Sequence, residues 1–407
     1  MMNAEAKINR TSGKILLVAP SRGQIYDMLS PLVEISDRLT IIENFDQLQD
    51  ELWYTSTLPV CIVLPILELN HFDLQKMSSS IKKFRQIVQG EVPLLVITSG
   101  NAPVPLELRP TAAMSDAVSP DVLIPRIAGL KRLTNRSEEA RVRRRLFGSL
   151  PDYRRAFFTS KLQRLLISGS GRSFVDLNKQ RMLKLEVVKA HTPRLVECYL
   201  TQYHFDAVIL DKPIWESVDE LISIRSDPRY LNIPILAQAD TPAEARALYN
   251  AGATDVFVGQ LSSRTILSHL YSALRAGRRQ RLIDTILTVS SKWLSRNNTQ
   301  GIVSVDIYNS YLSLLEESTS RRGEAVFELE LLDLIGRFTG TDQEIMRKNQ
   351  EAWSGTVLSI ALAVCRDEDF VANVEGYGPV AVLRTKKGLD QLSNRIMVMV
   401  RTTGLGT

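Results

Sequence analysis

Short runs of apolar residues recur along the first two thirds of the chain, separated by longer stretches with helical patterning. Runs of this length and composition are typical of strands that are buried on both faces of a parallel sheet. The clearest runs are residues 14–19, 60–64, 93–98, 164–168, 207–210 and 234–237. Because these strands alternate with helices, the sequence predicts an α/β fold with doubly wound parallel sheets.

The runs form two series of the same order, offset by about 150 residues, which indicates an internal duplication. We therefore expect one sheet domain over residues 13–148 and a second over residues 160–277. A third α/β domain is expected over residues 280–407.

The second series carries a more specific pattern. Its third run, residues 205–211, ends on Asp211, and residues 245–255 read Ala-Arg-Ala-Leu-Tyr-Asn-Ala-Gly-Ala-Thr-Asp. This pattern resembles the receiver domains of bacterial response regulators over residues 164–275, with a weaker likeness over residues 13–133. The resemblance implies two receiver-like domains and marks Asp211 as the residue that a receiver would phosphorylate.

The other residues that a working receiver needs are missing. Phosphorylation requires an acidic pair after strand one to bind Mg²⁺, a hydroxyl after strand four and a lysine after strand five. The second series has Ser168-Gly169, Ala239 and Gly259 at these places. The first series has Ala19-Pro20 for the acids, Pro65 for the acceptor and Ser119 near the lysine position. We therefore expect two pseudo-receivers, in which Asp211 is either a vestigial phosphoacceptor or a strand-end carboxylate that caps the next loop.

The C-terminal third contains a second informative order of residues. Arg366-Asp-Glu-Asp369 is followed by Glu-Gly-Tyr-Gly-Pro at residues 375–379 and by an apolar strand at residues 380–383. This order resembles the C-terminal half of GGDEF domains, the diguanylate cyclase family, truncated at residue 407. In that family the Gly-Gly-Asp/Glu-Glu-Phe turn is the active site, and the upstream Arg-x-x-Asp is an inhibitory site that binds cyclic di-GMP. The resemblance implies a degenerate GGDEF-like domain that keeps the second site and has lost the first.

The turn at residues 375–379 lacks the chemistry of a cyclase. An enzyme that joins two GTP molecules needs carboxylates to hold Mg²⁺ against the triphosphates. Tyrosine and glycine stand where the two acids belong, and Glu375 replaces the first glycine. Asp333, at the end of a predicted strand over residues 326–332, could be a first metal ligand but would lack its partner. We therefore predict no catalytic residue, no bound metal and no cofactor.

Arg366 and Asp369 can read a guanine base. A guanidinium can donate two parallel hydrogen bonds to guanine O6 and N7, and a carboxylate can accept from the N1–H and N2–H edge. Arg395, on a predicted helix over residues 389–401, aligns with a further arginine of the family's site. We expect these three residues to bind cyclic di-GMP as a regulatory ligand.

The tetrapeptide Arg-x-x-Asp is not specific by itself. A second copy, Arg281 to Asp284, lies on a predicted linker helix and is expected to be a solvated pair of charges. By the same logic, Arg366 and Asp369 could form a structural ion pair in a protein that binds no nucleotide.

Composition bounds the remaining possibilities. The 407 residues are 44% hydrophobic and 23% charged, as in an ordinary globular protein of several domains. No apolar run approaches the roughly eighteen residues of a membrane span, so we expect a cytoplasmic protein with no membrane insertion. Cys61, Cys198 and Cys365 are far apart and are expected to be reduced core residues.

The net charge of +5 raises the question of nucleic-acid binding. The excess is concentrated in the basic runs at residues 141–145 and 275–281, which contain no aromatic residues on which bases could stack. We expect these runs to be solvated helices between domains, with no nucleic-acid partner.

Receiver domains pair through the face formed by helix four, strand five and helix five. Apolar positions along residues 265–274 could serve both the core and a partner, and His269 among them is expected to be a packed helix residue rather than a ligand. On this family analogy we expect a homodimer.

The combined expectation is a non-catalytic cyclic di-GMP effector and scaffold. The layout of two receivers and a degenerate GGDEF domain also implies protein adaptors that deliver cell-cycle regulators to the ClpXP protease at the cell pole. The alternatives are a nucleotide-independent interaction scaffold built from pseudo-receiver domains and a residual enzyme that uses GTP.

Overall fold

The structure is a computed structural model. It describes residues 14–18, 39–43, 45–54, 57–66, 71–88, 91–99, 102–115, 120–148, 163–170, 185–259, 262–296, 302–339 and 350–403. The chain divides into two compact units. Unit one takes the described residues of Met1–Thr134 and Thr159–Arg281, and unit two takes those of Asn135–Phe158 and Leu282–Thr407.

The first sheet, in unit one, has five parallel strands. They are β1 (Ile15–Val18), β2 (Leu39–Ile42), β3 (Cys61–Ile66), β4 (Leu94–Thr98) and β5 (Ala112–Ser115), in the spatial order β2-β1-β3-β4-β5. The accompanying helices are α1 (Phe45–Tyr54), α2 (His71–Val88) and α3 (Pro120–Phe147). Every residue of β1, β3, β4 and β5 is buried, as expected for strands covered on both faces.

The second sheet, also in unit one, repeats this arrangement. Its strands are β6 (Gln163–Gly169), β7 (Leu185–Ala190), β8 (Ala207–Asp211), β9 (Ile235–Ala239) and β10 (Asp255–Val258), in the spatial order β7-β6-β8-β9-β10. The helices are α4 (Pro193–Gln202), α5 (Ile214–Ser226), α6 (Pro242–Asn250) and α7 (Ser263–Arg296). In both sheets the order is 2-1-3-4-5, which is that of the doubly wound fold of receivers. The predicted α/β fold with two doubly wound parallel sheets is confirmed.

Two helices of the second sheet begin with the same local signal. Thr192 and Thr241 each precede a proline, and each side-chain oxygen accepts a hydrogen bond from the backbone three residues on, at 3.3 Å in both cases. Threonine at the cap satisfies an otherwise unpaired helix N–H, and proline suits the first helical position because it needs no N–H partner.

The two sheets share one hydrophobic core. Strand β5 of the first sheet lies beside β10 of the second, and one cluster of buried side chains includes residues from both. At this junction, the Tyr249 hydroxyl donates to the Asp255 carboxylate at 3.1 Å and accepts from the Ser115 backbone N–H at 3.3 Å. Burial raises the pKa of Tyr249 well above its usual range, and the Asp255 charge adds to this. Tyr249 therefore stays protonated and can serve both bonds.

The same junction covers the face on which the homodimer expectation depends. His269 of α7 contacts Asp255 at 2.5 Å and Thr98 of the first sheet at 3.4 Å, and only 3% of its surface is exposed. Ser268 accepts a hydrogen bond from the Val104 backbone at 2.8 Å. The apolar residues that we expected to serve both the core and a partner are buried in the core of the second sheet: Ile266, Leu267, Leu270, Ala273 and Leu274. The first sheet contacts Ser268 and His269 of this helix, and the homodimer stays a prediction.

Unit two contains a three-stranded antiparallel sheet. Its elements are α8 (Val305–Ser320), β11 (Phe327–Glu330), α9 (Leu331–Thr339), α10 (Gln350–Val364), β12 (Phe370–Val374), β13 (Gly378–Leu383) and α11 (Lys386–Thr403). The spatial order is β11-β13-β12, and α9, α10 and α11 pack their apolar residues against the sheet. The predicted order of Arg-x-x-Asp loop, hairpin, strand and helix is present here. Unit two also includes the parts of α3 after residue 134 and of α7 after residue 281.

The compact units divide the chain differently from the predicted ranges 13–148, 160–277 and 280–407. Both five-stranded sheets fall in unit one, and the predicted boundary after residue 277 lies inside helix α7. Within the described ranges, no helix combines the length and apolar character needed to cross a bilayer.

The cysteines are free thiols, and they differ in burial. Cys61 is buried in β3, and burial raises the pKa of its thiol to about 12. Cys365 is partly buried, whereas Cys198 is exposed on α4. The expectation that all three are core residues is therefore wrong for Cys198.

Gly169 should tolerate no side chain. Its φ is +111°, and a Cβ would lie 2.1 Å from the Asp211 carbonyl oxygen. We expect Gly169→Ala to lower the free energy of unfolding by about 3 kcal/mol, because it combines backbone strain with a backbone clash. The matched control is Gly259→Ala, where φ is +70° but no atom lies within 4 Å of the added Cβ. We expect this control to lower the free energy of unfolding by about 1 kcal/mol. Urea unfolding measures both, and equal losses would contradict the prediction.

Candidate ligand-binding site

The Arg-x-x-Asp loop lies between the end of α10 and the start of β12. The Asp369 carboxylate accepts a hydrogen bond from the Arg366 backbone N–H at 3.0 Å, and the Asp369 N–H donates to the Arg366 carbonyl at 3.1 Å. These two bonds close the four residues into a tight turn, a structure that aspartate favours because its side chain can bond to nearby backbone.

The three predicted ligand residues come together at one corner of unit two. Arg366 is exposed, and its guanidinium donates to the Gln391 side chain of α11 at 3.3 Å. Arg395, one turn after Gln391, is also exposed and donates to the Val364 carbonyl, just before the loop, at 3.3 Å. Both arginines therefore lie beside the loop with their side chains accessible. The helix that carries Arg395 begins at Lys386, three residues earlier than predicted.

Asp369 is in an environment that resists ionisation. Burial raises the pKa of its carboxyl to about 6; the nearby charge of Glu368 adds to the rise, and the hydrogen bond from the Arg366 N–H opposes it. At neutral pH the group is ionised and can accept hydrogen bonds, but it protonates far more readily than an ordinary aspartate, whose pKa is about 3.9.

The two residues between Arg366 and Asp369 anchor the loop. Asp367 and Glu368 accept hydrogen bonds from Arg136 of α3 at 2.5 and 3.3 Å. The Arg136 side chain is only 6% exposed and also bonds to Asp284 at 2.5 Å. The role of these two acids could not be read from the sequence, because their partner lies more than two hundred residues away in the chain.

Arg143 holds the backbone of the same loop. Its guanidinium donates to the Asp369 carbonyl at 2.8 Å, to Glu139 at 2.7 Å and to the hydroxyls of Ser290 and Ser291. The side chain is fully buried. The prediction that the basic run at residues 141–145 is a solvated helix is therefore wrong for Arg143.

Beneath this layer, two adjacent glutamates of α3 are neutralised by arginines from elsewhere in unit two. Glu138 accepts hydrogen bonds from Arg322 at 2.5 and 2.9 Å and from Arg384 at 3.2 Å. Glu139 accepts from the Tyr311 hydroxyl at 3.0 Å. Burial, followed by the Glu139 charge, raises the pKa of Tyr311 well above its usual range, so its proton stays in place.

The second copy of Arg-x-x-Asp is not a pair of solvated charges. Within unit one, Arg281 bonds to the carboxylate of Asp206, which is almost fully buried. Within unit two, Asp284 bonds to Arg136. Arg281 and Asp284 therefore each form an ion pair with a different residue.

The turn at residues 375–379 connects β12 and β13. Gly376 and Gly378 have φ of +76° and +79°, while Glu375 and Tyr377 are exposed. The Tyr377 ring lies 6.1 Å from that of Tyr308. The turn therefore presents an exposed aromatic side chain.

Asp333 is not at the end of a strand. Strand β11 ends at Glu330, and Asp333 lies in the first turn of α9, 3.9 Å from Arg337. Among the described residues, no group of three or more His, Cys, Asp or Glu side chains is placed to hold a metal ion.

Asp211 ends β8 at the carboxyl edge of the second sheet, as predicted. It is partly buried, and its carboxylate accepts a hydrogen bond from Ser170 at 3.0 Å. Next to it, Lys212 forms a buried ion pair with Glu220 at 2.5 Å, and Ser168 donates to the same carboxylate at 3.1 Å. Sequence reasoning missed Glu220, because it lies on α5 and outside the receiver pattern. The Lys212 ammonium and the Glu220 carboxylate therefore neutralise each other next to Asp211.

Comparisons with known proteins add little. No family model and no curated protein matches this chain. Among solved structures, it is similar to the GsuK channel over 67% of this chain and 70% of that one, with 15% identity and a TM-score of 0.20. It is also similar to NtrX from Brucella abortus in complex with ADP, over 87% and 100% of the two chains, with 12% identity and a TM-score of 0.27. TM-scores this low carry no argument, and the fold assignment depends on the strand order instead.

We expect Glu138→Gln to destabilise unit two by about 3 kcal/mol, because it removes the buried negative charge that pairs with the guanidiniums of Arg322 and Arg384. The matched control is Glu317→Gln, which removes an exposed pair with Arg321 in the same unit and should cost at most about 0.5 kcal/mol. Thermal unfolding, together with hydrogen exchange of the β12 and β13 amides, measures both. Similar effects of the two substitutions would show that the buried network contributes little.

The raised pKa of Asp369 predicts a pH dependence. Between about pH 4 and pH 6 the folded chain binds a proton at this group more tightly than the unfolded chain does. The stability that this proton contributes is therefore complete below about pH 4 and is lost as the pH rises through about 6. Carbon NMR of the aspartate carboxyl groups, with Asp369→Asn for assignment, should show a midpoint near 6. Asp227 gives an internal reference, because hydrogen bonds from Arg229 lower its pKa. A midpoint near 4 for Asp369 would contradict the prediction.

Proposed function

We propose that this protein is a non-catalytic effector that binds cyclic di-GMP through Arg366, Asp369 and Arg395 and acts as a scaffold for protein partners. The observation that carries the proposal is the arrangement of the loop. Arg366 and Arg395 are exposed at one corner beside Asp369, while the buried Arg136 and Arg143 hold the loop by two of its side chains and one backbone carbonyl.

The chemistry of the corner suits a guanine nucleotide. Arg366 can donate to guanine O6 and N7, and the Asp369 carboxylate can accept from the N1–H and N2–H edge. Arg395 adds a second positive charge for a phosphate or a flat face for the base. A ligand with two guanines and two phosphates offers partners for all three side chains.

The turn at residues 375–379 supports a protein without cyclase activity. It contains Tyr377 and Gly378 in place of a pair of acids that could hold Mg²⁺. In its order of pseudo-receivers and degenerate turn the chain resembles PopA. By that resemblance, we propose adaptors for ClpXP-dependent proteolysis of cell-cycle regulators as partners and the cell pole as the place of action.

A second candidate is a scaffold that binds no nucleotide. It is favoured by the bonds that Arg366 and Asp369 already make, to Gln391 and to the loop's own backbone. In that case the tight turn would be the only purpose of the motif.

Titration calorimetry of the full chain with cyclic di-GMP tests the proposal. We expect Arg366→Ala to weaken binding at least tenfold, because it removes the bidentate contact with guanine. Arg395→Ala should weaken it less, and Arg401→Ala, an exposed arginine on the same helix, should leave it unchanged. Binding should also weaken below about pH 6, where Asp369 takes up a proton.

Two outcomes would reject this function. If cyclic di-GMP produces no heat, or if the wild type and Arg366→Ala bind it equally, the nucleotide-independent scaffold is correct. If the protein releases pyrophosphate from GTP in the presence of Mg²⁺, it is a residual enzyme, and we expect no such release.

A further inference from the structure

Two arginines from distant parts of unit one converge on the loop before β5. Arg85 of α2 donates to the carbonyls of Leu108 at 3.1 Å and Arg109 at 3.2 Å. Arg275 of α7 donates to the Pro110 carbonyl at 2.6 Å. The two guanidiniums therefore bind three consecutive backbone carbonyls, those of residues 108–110.

Arg109, in the middle of that segment, has an unusual backbone conformation. Its φ and ψ are 49° and 58°, and it is the one residue other than glycine with a positive φ in the described part of the chain. This conformation costs about 1–2 kcal/mol for a residue with a side chain. The Arg109 side chain is exposed and forms no hydrogen bond with another described residue. Such strain is concentrated at ligand sites, where a side chain has to be held in a particular place.

Several positive charges lie around this segment. Arg279 lies close to Arg85 and forms an ion pair with Glu91. Burial, followed by the charges of Arg275 and Arg109, lowers the pKa of Arg85 to about 10. Burial and then the Arg85 charge lower the pKa of Arg279 to about 10. Repulsion between neighbouring guanidiniums contributes to both shifts, and a bound anion would relieve it.

We infer that Arg85, Arg109, Arg275 and Arg279 form a binding site for a small phosphate-bearing anion of about the size of a pyrophosphate group. The planar guanidinium donates paired hydrogen bonds to phosphate oxygens and is the usual residue for this purpose. Closing the loop explains the contacts of Arg85 and Arg275, but it does not explain an arginine with a positive φ between them. The four arginines lie on α2, on α7 and in the loop before β5. The basic run at residues 275–281 contains no aromatic residue on which the bases of a nucleic acid could stack.

Titration of the full chain with sodium pyrophosphate at low ionic strength tests this site. We expect Arg109→Gly to weaken binding at least tenfold. The same change should leave the melting temperature equal or higher, because glycine adopts a positive φ without strain. Arg109→Lys keeps the charge and should retain most of the binding. Arg246→Ala, an exposed arginine on α6, is the control and should bind as the wild type does.

Three results would overturn the inference. The first is that pyrophosphate fails to bind the wild type. The second is that Arg246→Ala loses as much affinity as Arg109→Gly, which would indicate non-specific attraction. The third is that a thirty-nucleotide single strand binds and pyrophosphate does not displace it, which would indicate an extended nucleic-acid surface. The site does not depend on the proposed function, because Arg366→Ala changes a residue of unit two and leaves these arginines untouched.

Discussion

Two neighbouring carboxylates, those of Glu138 and Glu139, lie in the interior of unit two, and the surrounding structure is organised to neutralise them. Removing one ion from water costs several kcal/mol, which is recovered only when good geometry and extra hydrogen bonds satisfy the charge. Arg322 and Arg384 satisfy Glu138, while Arg143 and the Tyr311 hydroxyl satisfy Glu139. Arg143 lies on α3 itself, whereas Tyr311 lies on α8, Arg322 follows α8 and Arg384 follows β13. The network therefore fixes the position of α3 relative to these elements of unit two.

That fixed helix determines the form of the Arg-x-x-Asp loop. Arg136 and Arg143 are seven residues apart, two turns on the same side of α3, and each binds a different part of the loop. The contacts use Asp367, Glu368 and a backbone carbonyl, which leaves the guanidinium of Arg366 accessible. A loop held in this way loses little freedom when a ligand arrives, and less of the binding energy is needed to order it.

The sequence was most informative where burial dictates composition. Strands covered on both faces have to be apolar throughout, so residues 60–64 and 207–210 could be recognised without any alignment. It was least informative about charges whose partners are distant. Arg143 looks like its exposed neighbours Arg144 and Arg145, and only the position of Asp369 in space distinguishes it.

Gly277 lies at the predicted domain boundary and inside helix α7. Glycine weakens a helix when it has no other role. In the structure α7 continues through it, and a Cβ there would lie 2.3 Å from the Asp206 carbonyl. This glycine is required by a close approach between two elements.

The contact between β5 and β10, with His269 and Tyr249 at its centre, has a consequence for assembly. Domains that associate as separate molecules do so to an extent that depends on their concentration. Joining two such modules in one polypeptide replaces that dependence with a constant local concentration set by the tether. The association in this chain therefore responds neither to dilution nor to expression level, and the pair behaves as one permanent body at every abundance of the protein.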